Sequence, residues 1–339
     1  MHFRVDANAT VGSGHLMRCL SVADALRRLG CDSCFVLSDA GSADIVAARG
    51  YGFHVLGSRY DELDSETDRL HSLLSAEAAT SLLVDSYFAT ETYMASLKRS
   101  VRLLYLDDLA AIRCPVDVLV NYNSYADGLG YERTYAGTET ELLLGCAYAP
   151  LREEFRDLPE RPASSSVRQV YLSTGGSDPT DFAHTLLSRL VGIRTLNLQF
   201  HLVIGRLSPN RERLETLART LPQVRLHVDL QRVSEVMSLC DVAISASGST
   251  LYELFACGVP TVGYVLADNQ QAGMADLATK GLILPGGDVR TSDDAVGRIV
   301  AAFLHLSGDP GLRATMSSAC RSLVDGKGAE RIARRIVQV

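Results

Sequence analysis

Three short loops carry the residue types that could do chemistry. The first is Val11-Gly-Ser-Gly-His-Leu-Met-Arg18. Gly12 and Gly14 let the backbone turn tightly and approach a ligand. His15 then falls in the first turn of a helix. A helix start disfavours positive charge on the ring, and an uncharged imidazole suits a general base. Arg18 shares that helix face and could meet an anion. The third glycine of a dinucleotide-binding fingerprint is missing. The plain alternative is a capping loop with an incidental histidine.

The second loop is Ser173-Thr-Gly-Gly-Ser-Asp-Pro179. Asp178 reads as a helix cap with Pro179 as the first helical residue, a structural role. Gly175 and Gly176, with Ser177 beside them, expose backbone amides where a phosphate or ribose could lie. The third loop is Ala246-Ser-Gly-Ser-Thr-Leu-Tyr-Glu253. A buried strand runs into small residues, and a helix begins near Ser249 or Thr250. Ser247, Gly248, Ser249 and Thr250 there form an anion site fit for a diphosphate. Glu253, one turn on, could accept two ribose hydroxyls, or could simply stabilise the helix dipole. Asn269 and Gln270 follow the next strand and offer amide groups.

The elements that position these loops alternate. In the first half, Phe3–Ala7, Cys34–Leu37, Phe53–Leu56, Leu82–Asp85, Leu103–Leu106 and Val116–Asn121 read as strands. His15–Leu29 and Ser42–Gly50 read as helices between them. Such alternation predicts a parallel, doubly wound sheet with ligands at the carboxyl ends of its strands. Asp85 and the pair Asp107–Asp108 lie at such ends. The segment Leu151–Arg168 is charged, then rich in Pro and Ser, and reads as a linker. Beyond it the alternation restarts, and a last helix lies near Ala329–Ile336. The acidic stretch Gly57–Leu70 reads as a solvated helix or loop.

The chain has 339 residues, 47% hydrophobic and 22% charged, enough for two globular domains. Its net charge of −7 argues against a nucleic-acid partner. The eight cysteines read as reduced and structural. The one tight pair, Cys31-Asp-Ser-Cys34, is a weak metal signal by itself. No His/Cys/Asp cluster has metal-ligand spacing, so no metal is expected. There is no signal-peptide pattern and no run of membrane-spanning length, so a soluble cytoplasmic protein without membrane contact is expected.

SGSTLYELFACGVP followed by DNQQ resembles the nucleotide-sugar half of GT-B proteins, notably the lipid II N-acetylglucosaminyltransferase type. DANATVGSGHLMRCLSVADAL is more similar to the UDP-sugar hydrolases of pseudaminic acid biosynthesis, the PseG family. VDSY, LDDL, LLGCAYAPLREEF, STGGSDPTD and VDGKGAERI extend that resemblance, in order, over nearly the whole chain. In GCAYAP, Cys146 and Ala147 stand where that family commonly has a proline, which touches the hinge more than the chemistry.

The resemblance implies an α/β, GT-B protein with two Rossmann-like doubly wound domains facing across a cleft. Residues 1–150 would carry the catalytic His and the sugar side, 151–168 the linker, 169–325 the UDP-binding domain and 326–339 a C-terminal helix. It implies a metal- and cofactor-independent hydrolase of UDP-2,4-diacetamido-2,4,6-trideoxy-β-L-altropyranose, or a close UDP-sugar. Water would attack the anomeric carbon with inversion and UDP would leave. His15 would be the base, and the SGST loop with Glu253, Asn269 and Gln270 the uridine diphosphate site. Asp6 and Tyr87 would neighbour the sugar. The pathway resemblance suggests transient contact with a downstream sugar synthase. The alternative is a GT-B glycosyltransferase in which an acceptor hydroxyl replaces water.

Overall fold

The protein is described here by a computed structural model covering residues 1–8, 11–160, 164–175, 178, 181–193, 197–205 and 208–338. It divides into two compact units. One is residues 1–153 together with 327–339, and the other is residues 154–326.

The first unit runs β1 (His2–Val5), α1 (Gly14–Arg28), β2 (Cys34–Leu37), α2 (Ala43–Ala48), β3 (Gly52–Val55), α3 (Thr67–Ala76) and β4 (Ser81–Asp85). It continues through α4 (Glu91–Leu97), β5 (Arg102–Leu106), β6 (Val118–Asn121), α5 (Tyr131–Thr134) and β7 (Glu141–Leu144). All seven strands are parallel, in the order β3-β2-β1-β4-β5-β6-β7. Successive strand residues face opposite sides. On β1, Phe3 and Val5 enter the core beneath α1, and Arg4 points to the face covered by α3 and α4. Helices on both faces make the sheet doubly wound.

The second unit runs β8 (Gln169–Ser173), α6 (Phe182–Val191), β9 (Gln199–Ile204), α7 (Arg211–Thr220), β10 (Val224–Val228), α8 (Val233–Leu239) and β11 (Val242–Ala246). Then come α9 (Thr250–Cys257), β12 (Thr261–Val265), α10 (Gln271–Thr279), β13 (Ile283–Asp288), α11 (Ala295–Gly308) and α12 (Pro310–Leu323). Its parallel sheet has the order β10-β9-β8-β11-β12-β13, the same winding as the first. In both sheets the order reverses beside the first strand. That places the switch point between β1 and β4 in one unit and between β8 and β11 in the other, where open α/β sheets bind ligands.

Two stretches differ from a simple linker and tail. Phe155 is buried, and the Glu154 carboxylate accepts bonds from the Ser234 amide and hydroxyl, so the chain is docked on the second unit as soon as it enters it. The last helix, α13 (Gly328–Val337), is no separate element. Ala329, Ile332, Ala333 and Ile336 complete the core around α1. A side chain at Gly328 would strike the Ala149 backbone at 2.2 Å, so only glycine admits this approach. Among the described residues, no helix is long and apolar enough to cross a membrane.

Candidate functional site

The carboxyl ends of β1, β4, β5 and β6 bring together a buried charged cluster in the first unit. After β1 the chain turns back on Asn8, whose carbonyl accepts from the Gly12 amide at 2.8 Å and whose side chain accepts from Val11 at 2.9 Å. Gly12 takes φ +73°, the left-handed region that favours glycine. No side chain caps α1 at Ser13. His15, the second helical residue, is thereby aimed at Asp85, the last residue of β4.

His15 Nδ1 lies 2.5 Å from Asp85 Oδ1. Asp85 is fully buried. Burial would push its carboxyl up, but Arg18 and His15 outweigh that and hold it well below the usual carboxylate range. An ionised carboxylate only accepts hydrogen bonds, so Nδ1 carries a proton, and in the neutral ring the lone pair is then on Nε2. Such a pair can serve as a base and its orienter, with Asp85 able to stabilise charge if the ring takes up a proton.

Arg18 holds Asp85 in place. Its Nε and Nη2 donate to the two Asp85 oxygens at 2.6 and 2.5 Å. Nη1 donates to both oxygens of Asp108, at 3.0 and 2.9 Å, and to the Tyr122 hydroxyl at 3.0 Å. Burial opposes this cation, but the two carboxylates keep the guanidinium fully charged. The expectation that Arg18 meets a ligand anion gives way. Its donors are engaged inside the unit, and it acts as the positioning cation of the cluster.

Tyr87 lies beside His15. Its ring meets His15 edge-on, 4.5 Å between centroids, and its hydroxyl donates to Asp108 at 3.1 Å. Asp6 is differently employed. One oxygen accepts from Arg4 at 2.5 Å and the other from the Ser38 amide at 2.8 Å, which ties the end of β1 to the end of β2.

Sequence reasoning missed Tyr122 and Asn123 as members of the cluster and saw Asp108 only as one of two strand-end acids. Asn123 donates to Asp108 at 3.0 Å. Asp107 turns the other way, accepting from Leu109, Ala110 and Tyr131, with burial pushing its carboxyl up. The signal was partial. Asp107 and Asp108 were visible as strand-end acids, but nothing in their spacing separates the inward one from the loop-capping one.

In the second unit, the loop after β8 gives Gly175 φ +80°. Its amide donates to Ser173 Oγ at 3.1 Å, so it is not the open phosphate donor that the sequence suggested. Gly176 and Ser177 lie outside the described residues. Asp178 caps the next helix, accepting from the Phe182 and Ala183 amides at 2.8 Å each. The helix begins at Phe182, later than the sequence indicates.

After β11, Ser247 is buried, Gly248 is half-buried and Ser249 precedes α9 without a side-chain cap on the helix. Ser247 Oγ is buried without a hydrogen-bond partner. Thr250 opens α9, and Glu253 lies half-buried in its first turn. Gln270 accepts from the Leu266 amide at 2.8 Å. A Cβ at Gly248 would lie 3.7 Å from Gln270 Nε2, so the SGST and DNQQ segments meet. Asn269 is exposed beside them.

The expectation of no metal-ligating cluster is corrected at one place. His2, Cys34 and Glu77 bring donor atoms within 4.8 Å of one another. They lie at the amino ends of β1 and β2 and just past α3, the opposite strand ends from His15.

No protein-family model matches the chain. It is 25% identical over 285 residues to the UDP-2,4-diacetamido-2,4,6-trideoxy-beta-L-altropyranose hydrolase of Campylobacter jejuni, covering 82% of this chain and 96% of that one. It is 27% identical over 206 residues to the spore coat polysaccharide biosynthesis protein SpsG of Bacillus subtilis. That match covers 60% of this chain and 58% of SpsG, less than two thirds of the relative's length. Among solved structures, MurG of Acinetobacter baumannii superposes with a TM-score of 0.69 at 14% identity, covering 100% of this chain and 99% of that one. The chain thus has the GT-B fold, and over most of its length it is similar to a UDP-sugar hydrolase.

Proposed function

We propose that the chain hydrolyses a UDP-sugar of the UDP-2,4-diacetamido-2,4,6-trideoxy-β-L-altropyranose type at its anomeric carbon. The observation that carries this reading is the His15–Asp85 pair, with the ring fixed through Nδ1 at the sheet's switch point. The Campylobacter jejuni relative supports the substrate class.

In the reaction, water attacks C1 from the face opposite the diphosphate. Nε2 of His15 takes one proton, the C1–O bond breaks, and its electron pair leaves with UDP. The sugar is released with inverted configuration, and the ring returns its proton to solvent. General-base help of this kind contributes about 10²–10⁴-fold. Ordinary glycosidases pair two carboxylates because a poor leaving group needs a proton. UDP departs as an anion, so one base suffices and no step calls on a metal. The SGST loop, Glu253, Asn269 and Gln270 hold the UDP portion, where the amides at the start of α9 favour the departing charge. Tyr87 neighbours the sugar. The free sugar is then passed in the cytoplasm to a sugar synthase.

The test is turnover of the UDP-sugar in ¹⁸O-water without any acceptor. Stoichiometric UDP and label on the sugar are expected. Label on phosphate means attack at phosphorus and overturns the mechanism. Strict dependence on an added hydroxyl acceptor means a glycosyltransferase.

A further inference from the structure

The amino ends of β1–β3 hold a group of side chains that the reaction does not use. His2 Nε2 lies 2.5 Å from one oxygen of Glu77, and His54 Nε2 lies 2.5 Å from the other. Cys34 Sγ joins His2 and Glu77 within 4.8 Å. The sheet register explains the grouping. His2 pairs with Cys34 and Cys34 with Gly52, while His54 lies two residues beyond Gly52. With a strand period of two, all four positions face the α3 side. Glu77 follows the last turn of α3 and closes over them.

We propose that His2, Cys34 and Glu77 form a zinc site, with His54 holding the other oxygen of the Glu77 carboxylate from outside. One thiolate, one imidazole and one carboxylate, with water in the fourth position, suit a tetrahedral zinc ion and are too soft a set for magnesium or calcium. The two anionic ligands balance the charge of a divalent ion. Two further features point to a ligand. His2 is buried, and its Nδ1 has no hydrogen-bond partner. Gly52 leaves the space beside the thiol open, since even a Cβ there would reach Cys34 Sγ at 3.8 Å. The Cys31 thiol is turned elsewhere, toward the Leu29 carbonyl, so the C-x-x-C pair is not the chelate. The site, with His54, would tie β1, β2 and the edge strand β3 to the end of α3. It is independent of the hydrolase reading.

The test uses the untagged full chain, stripped with EDTA and returned to metal-free buffer. Titration with cobalt(II) should give a thiolate-to-cobalt charge-transfer band that saturates at one equivalent. Zinc should displace the cobalt and raise the melting temperature. Cys34→Ser should abolish the band and Cys31→Ser should keep it. His54→Ala should weaken zinc binding, in competition with a chromophoric chelator, at least about tenfold. Circular dichroism of each metal-free variant checks that it folds. No band in the wild-type protein overturns the proposal. So does a band that survives Cys34→Ser, or zinc affinity unchanged by His54→Ala.

Discussion

Asp85 Oδ1 lies 2.5 Å from both His15 Nδ1 and Arg18 Nη2. One carboxylate oxygen thus orients the ring and is itself fixed by a cation. In the proposed mechanism Asp85 and Arg18 are positioning residues, and Nε2 of His15 is the reactive atom.

His15→Ala should lower kcat by at least about tenfold, toward the 10²–10⁴ range of general-base catalysis, with UDP affinity unchanged by calorimetry. Asp85→Asn should lower kcat by about 10²-fold with little change in KM. An asparagine can offer its amide to Nδ1 and so favours the tautomer with the proton on Nε2. Unaltered turnover in either variant removes the pair from the mechanism.

The second unit should lose stability as pH falls from neutral. His201 Nδ1 lies 3.0 Å from His227 Nε2, and His201 Nε2 lies 2.7 Å from Gln169 Oε1. This arrangement needs a neutral His201, whose Nε2 donates to Gln169 and whose Nδ1 accepts from His227, because a proton on Nδ1 would set N–H against N–H. Burial, with the charges of His227 and Arg225, pushes His201 down to about 4. The unfolded chain takes up a proton below pH ~6.5 and the folded one does not. The stabilisation is therefore present above that value and is lost progressively as pH falls toward 4. Urea unfolding at pH 7 and pH 5 checks this. His201→Gln should flatten the difference, and parallel curves for the two proteins would remove the cause.

Gly248→Val should weaken UDP binding at least tenfold, about 1.4 kcal/mol. The nearest group to a Cβ there is Gln270 Nε2 at 3.7 Å, an ordinary contact, and φ is not in the left-handed region. The fold should therefore tolerate the substitution, and the loss should report on the ligand. Wild-type affinity by calorimetry places the nucleotide elsewhere.

Glu66→Ala should destabilise the first unit by about 3 kcal/mol, the low end of the cost of breaking a buried pair, because Arg4 keeps Asp6 as a partner. Arg4 and Glu66 are both fully buried and joined at 2.5 and 2.9 Å. Tyr93 and Ser58 also donate to this carboxylate. Denaturant unfolding reads the effect, and a change under about 1 kcal/mol would show the network to be dispensable.

Much of this was legible because α/β sheets write their strands as apolar runs and their sites as loops that follow them. β1, β4, β5 and β11 and the three loops could be read that way. Other features were hidden for physical reasons. Glu66 sits in an acidic stretch that looks solvated, and only the buried Arg4 on a distant strand explains it. β13 contains Pro285, Gly286 and Gly287, which resemble a turn. It is an edge strand, where proline is tolerated. A side chain at Gly286 would strike Ile299 at 2.6 Å, so packing requires the glycine. β7 is a four-residue edge strand with only one buried position, too weak a pattern to read. Arg18 could not be assigned between ligand and carboxylates, because its partners Asp85 and Asp108 are 67 and 90 positions away.

The return of α13 to the core around α1 has a consequence for synthesis. Residues 1–153 wait until residues 328–337 have been translated before the apolar surface of their unit is covered. Until then Leu16, Leu20 and their neighbours have no lid, and the nascent chain must be kept from sticking to itself while the whole second unit is made.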